Sequence, residues 1–155
     1  MTETHTPASV LSTDELRVAQ QLVAGAPNPA IAQKLGMSEA EVTGHLDRIG
    51  KLTWARTRHT RAHSVLAAGL VPPPLVRAPA PDLSEAEQLL LLALAVCETW
   101  EGTAAAAGLD LRTVKPAMRA LLARTGADSR THLVGLAHGW NLLGDSGSGC
   151  GGSRR

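Results

Sequence analysis

Ten basic side chains fall into two tight groups. Residues 45–63 hold Arg48, Lys51, Arg56, Arg58 and Arg61 against a single acid, Asp47. Residues 112–130 hold Arg112, Lys115, Arg119, Arg124 and Arg130 against a single acid, Asp128. Clusters of this kind neutralise phosphates, and binding through them falls as salt rises. The bland alternative is a solvated basic face on each of two helices. Other chemistry is sparse. His59 and His63 are four residues apart on one helix, but no neighbouring Cys or acid completes a metal set, so they read as part of a polar helix face. No paired catalytic carboxylates, nucleophile elbow or phosphate loop occurs, and neither an enzyme nor a cofactor is expected.

The chain that must position these cations has 155 residues and a net charge of only +1, so the segregation of charge carries the signal and not its sum. It has no Phe or Tyr and three Trp. A core must therefore be built from Leu, Ala, Val and Ile, and such segments favour helices over strands. Trp54, Trp100 and Trp140 are expected as packing anchors. Cys97 closes an apolar run and reads as a buried thiol, while Cys150 in a Gly/Ser tail reads as an exposed one. Cysteines in such unlike settings suggest a reducing compartment. No signal peptide is apparent, and the longest apolar run, Leu89 to Cys97, is far shorter than the roughly 20 residues of a membrane span. A cytoplasmic protein with no membrane contact is expected.

The sequence repeats itself. A shift of 72 residues superposes 11–71 on 83–143 without a gap. Identical pairs include Ser12/Ser84, Glu15/Glu87, Ala32/Ala104, Gly36/Gly108, Val42/Val114, Arg58/Arg130 and Leu70/Leu142. Most fall at caps, turns or apolar positions. The expected organisation is an N-terminal tail (1–10), a first unit (11–71), a Pro-rich linker (72–82), a second unit (83–143) and a Gly/Ser-rich tail (144–155). Proline stiffens the linker into an extended form.

Each unit reads as four helices. "LSTDE" and "LSEAE" give Ser-x-x-Glu capping boxes at helix one. Asn28, with Pro29 behind it, is expected to cap helix two, and Gly36 to stop it. Ser38 and Glu41 form a second capping box at helix three, while Thr57 and Ser129 are the expected caps of helix four. Ala32, Leu35, Val42, Leu46 and Ile49 fall on one inward face, which makes a helix-turn-helix. In the second unit, Pro116 is tolerable only in a first turn, so helix three there is expected to begin near Thr113 and to be shorter.

The stretch "LSTDELRVAQQLVAGAPNPAIAQKLGMSEAEVTGHLDRI" resembles the DNA-binding domain of LuxR-type (GerE-like) regulators. The resemblance rests on Leu11-Ser12, Asp14-Glu15, Ile31-Ala32, Leu35-Gly36, Ser38, Val42 and His45. The second unit is a more divergent copy and keeps Thr113-Val114-Lys115 and "TGADSRTHLV". Glu41 departs from the family's Thr, and Pro116 interrupts helix three of the second copy. The resemblance implies an all-α fold of two tandem helix-turn-helix units and a DNA-binding transcriptional regulator, with double-stranded DNA as partner. RNA polymerase, another regulator or a second copy of the chain are further candidate partners. It places Thr43, Gly44 and Asp47 of the first unit, and Lys115, Pro116 and Arg119 of the second, where base edges would be read. Asp47 suits phosphate poorly, so the second unit has the better DNA chemistry. A different reading comes from helix one of the second unit. Leu89, Leu92 and Ala93 replace Arg17, Gln20 and Gln21 of the first, which suggests a contact surface for the first unit, a second chain or another protein.

Overall fold

The computed structural model describes residues 11–143. Among them are eight α-helices and no strand: α1 (Thr13–Val23), α2 (Asn28–Leu35), α3 (Glu39–Thr53), α4 (Arg58–Ala67), α5 (Glu85–Val96), α6 (Trp100–Ala107), α7 (Leu111–Thr125) and α8 (Arg130–Gly139). Every helix of the second half starts 72 residues after its counterpart. No described helix is long and apolar enough to cross a membrane.

Local chemistry explains most helix starts. Ser12 with Glu15, Ser38 with Glu41 and Ser84 with Glu87 form reciprocal capping boxes. Each satisfies two backbone N–H groups that a helix start leaves unbonded. Thr57 and Ser129 cap α4 and α8 as expected. Gly36 and Gly108 end α2 and α6 at positive φ, where glycine carries no steric penalty.

Two helix boundaries differ from expectation. Asn28 is the first residue of α2, and Pro27 precedes it as the cap without a side-chain hydrogen bond. The Asn28 side chain is engaged elsewhere, accepting from the Arg58 guanidinium. Helix α7 begins at Leu111, not near Thr113, and has the same 15 residues as α3. Pro116 therefore lies inside it. A helix-interior proline costs roughly 3 kcal/mol, and burial of Val114, Met118 and Leu121 along one face of α7 offsets that cost.

The two halves share one apolar core running from Leu11 to Leu143. They meet through α4 and α8, with α1 reaching α8 and α5 reaching α4. Exchanging the halves exchanges the last two contacts, which is the pattern of an isologous two-fold interface within one chain. Polar bonds cross it too. His59 Nε2 lies 2.8 Å from the Cys97 carbonyl oxygen. Glu98 accepts from the Arg56 amide at 2.6 Å and the Thr60 hydroxyl at 3.2 Å. His63 Nδ1 lies 2.9 Å from His138 Nε2. His59 and His63, expected on a solvated face, are buried because α4 turns that face toward the second half.

Further expectations are corrected. Cys97 is buried but is disulfide-bonded and not a thiol; Cys150 lies outside the described residues, and the inference of a reducing compartment loses its premise. Ala93 is buried in the chain's own core, so it belongs to no outer surface. Residues 72–82 are not a free spacer. The Trp140 indole donates to the Ala78 carbonyl at 2.8 Å, and Pro74 and Val76 lie against Gly139 of α8.

Two predictions arise from the interface. A Cβ on Gly135 would sit 2.0 Å from the Val23 carbonyl oxygen, so α1 and α8 approach only because that residue is glycine. Gly135→Ala should lower stability in urea denaturation by about 1–3 kcal/mol, the range for overpacking. The histidine pair makes the interface acid-sensitive. Burial lowers the pKa of His63, and burial together with the neighbouring His63 lowers that of His138 to about 4. The folded state thus binds fewer protons than the unfolded one. Their contribution is full above pH about 6.5, the ordinary histidine value, and is lost as pH falls toward about 4. His138→Leu, which copies Leu66 at the repeat-equivalent position, should flatten the decline in urea midpoint across that window.

Candidate nucleic-acid interface

In a helix-turn-helix the third helix presents its outer face to the groove. In the first half that helix is α3. Its exposed face carries Glu39, Glu41, Thr43, Gly44, Asp47, Arg48 and Lys51, while Val42, Leu46 and Ile49 are buried beneath. Glu41 folds back onto the α3 start, accepting from the Ser38 amide at 2.8 Å. The acid that looked hostile to phosphate is therefore engaged as a cap.

The cations of the first half are mostly engaged within the protein. Arg48 pairs with the buried Glu15 at 2.7 Å. Arg58 donates to the Ala26 carbonyl at 2.6 Å and to Asn28. Arg61 donates to the Ala55 carbonyl at 3.1 Å and lies 3.8 Å from Asp47. Lys51 and the Arg56 side chain remain exposed, with no carboxylate partner among the described residues. Both sit toward the C-terminal end of α3, beyond the positions expected to read bases.

The second half is arranged differently. Arg112, Lys115 and Arg119 share the exposed face of α7, and none pairs with a carboxylate among the described residues. Arg124 alone is withdrawn, held by Glu87 at 3.0 Å and by the Asp82 carbonyl. Trp100, at the first position of α6, lies between two cations. The Lys115 ammonium is 5.4 Å and the Arg130 guanidinium 4.4 Å from its ring centroid, both within cation–π range. Trp100, Lys115, Arg119 and Arg130 line one groove of about 310 Å³, floored by Met118 and Leu122 and without an acid.

That geometry gathers three cations and an aromatic ring where α6, α7 and α8 converge. Residues 9–53 match the GerE model of bacterial regulatory proteins, luxR family. The match covers α1, α2 and α3 and stops short of the second half. No curated protein and no solved structure matches the chain. The first half therefore carries a LuxR-type helix-turn-helix, and its α2–Gly36–α3 unit is the one expected from the sequence. No group of three or more His, Cys, Asp or Glu among the described residues is placed to hold a metal.

Trp100 was not foreseen as part of this surface. Its one sequence signal was position, 72 residues after Asn28, which meets the equivalent arginine, Arg58, in the first half. Where Arg58 bonds an amide oxygen, Arg130 stacks on an indole. Trp140 is half-buried as an anchor against the linker, but Trp54 is 91% exposed and anchors nothing. Leu89 and Leu92 remain exposed on α5.

The α3 start offers a direct check. Ser38→Ala removes one side of the capping box and should cost about 1 kcal/mol in urea denaturation. Glu41→Gln retains an acceptor for the Ser38 amide and should cost less.

Proposed function

We propose that the chain is a DNA-binding transcriptional regulator, a covalent pseudo-dimer of two LuxR-type helix-turn-helix units acting on an asymmetric site. The reading rests above all on the acid-free groove of Trp100, Lys115, Arg119 and Arg130. Its cations are not neutralised by protein carboxylates, so phosphate oxygens are the partners they suit. Lys115 and Arg119 also lie on the face of α7 from which guanine edges accept hydrogen bonds in the major groove. The packing of α4 on α8 supports the pseudo-dimer, since it relates α3 and α7 as a two-fold axis relates the reading helices of a dimer.

The two reading helices then divide the work. α7 and Arg130 supply phosphate and base contacts. α3 presents Thr43 and Asp47, a weak electrostatic contributor whose carboxylate suits a cytosine amine. Arg48, Arg58 and Arg124 act within the protein and contribute little to DNA affinity.

The test is binding of the full chain to a genomic duplex pool across a salt series. Affinity should fall steeply with salt. Lys115→Ala with Arg119→Ala should lower the slope of log affinity against log salt by about 1 for each phosphate those side chains neutralise. Arg124→Ala should leave it unchanged. The selected site should lack two-fold symmetry. Absence of duplex binding at low salt would overturn the proposal.

A further inference from the structure

Two exposed apolar patches lie outside the DNA surface, one in each half. The first centres on Trp54, which caps α3 at φ 61. A bulky side chain at positive φ is a genuine outlier, and such conformations gather at functional positions. The repeat-equivalent residue is Gly126, at φ 75, which meets the same backbone requirement without strain. Trp54 stands beside a groove of about 500 Å³ lined by Lys51, Arg56, Arg61 and a single acid, Asp47. Leu52, close by in sequence, is 38% exposed.

The second patch is on α5. Glu85, Leu89 and Leu92 are spaced i, i+4, i+7 and form one stripe along the helix. Leu89 is 45% and Leu92 37% exposed, and Glu85 is exposed at the head of the stripe. Their counterparts on α1 are Thr13, Arg17 and Gln20, an ordinary solvated set. Each half thus carries one apolar specialisation that the other lacks. One is rimmed by cations and walled by an indole. The other is a slender helix stripe headed by a carboxylate.

We propose that these surfaces fit each other between copies of the chain. The Trp54 groove of one molecule receives the Glu85–Leu89–Leu92 stripe of the next, with Lys51 or Arg56 facing Glu85. Tryptophan and arginine are the side chains that most often dominate interface energetics. A groove-to-groove contact would set Lys51 and Arg56 against their own copies, so charge favours the head-to-tail arrangement. Such a heterologous contact leaves one free end of each kind and propagates until geometry closes it. The inference does not depend on DNA binding.

Sedimentation velocity of the full chain without DNA tests it. Wild-type protein should form a concentration-dependent series beyond the monomer that weakens as salt rises. Trp54→Gly should be monomeric with a melting temperature no lower than wild type, because glycine relieves the backbone. Leu89→Glu with Leu92→Glu should also be monomeric. Mixing the two variants should yield 1:1 dimers and nothing larger, since only one contact can form. Lys51→Glu with Arg56→Glu should abolish association, and adding Glu85→Lys to the same chain should restore it. A wild-type protein that stays monomeric, association that survives these variants, or a mixture that stays monomeric would each overturn the proposal.

Discussion

The contact of α4 with α8 is the constraint from which the rest of the molecule takes its form. It buries the helix-four faces of both halves. It draws His59, Thr60 and His63 out of solvent and leaves α3 and α7 packed only within their own halves. Close approach is set by a few small residues. Gly135 admits the Val23 carbonyl, and Gly139 admits the linker backbone. Larger side chains there would part the halves before any outer surface changed. The orientation of the two outward helices is thus decided at an interface that neither helix touches.

That interface is repeated in outline and broken in detail. His63 corresponds to Gly135, and Leu66 to His138, so the histidine pair joins two residues that are not equivalents. Arg58 and Arg130 hold equivalent positions at the start of α4 and α8, yet one is tied to backbone and amide oxygens and the other lies over an indole. A cleft of about 750 Å³ separates them. A duplicated fold gives each half its own helices at no further cost in design. The shared interface then lets the side chains diverge, provided the sum of volumes across it is kept.

The sequence made the local half of this structure legible. Capping boxes close over three residues, a glycine stop over one, and the apolar face of α3 over a few turns. The fold class and nearly all helix starts follow from those short-range rules. What crossed the halves was not readable, because its bonds span 38 to 75 residues. The basic clusters show the limit well. Five cations in each half looked alike in the sequence. Which of them were already engaged depended on Glu15, Glu87, Ala26 and Ala55, of which only Ala55 falls within a cluster, and there it acts through its backbone carbonyl. Pro116 misled because its penalty is local while the burial that offsets it is tertiary. Trp54 misled because indoles are ordinarily drawn to cores; only its correspondence with Gly126 hinted that its backbone, and not its ring, answered to the fold.

The linker along α8 has one more consequence. Two separate helix-turn-helix chains find each other with an efficiency that falls on dilution. Here α4 and α8 belong to one polypeptide, and residues 72–82 are laid down on the interface they connect. Pairing of the halves is then a folding event, indifferent to how many molecules a cell contains. A protein made in few copies would keep its paired form intact.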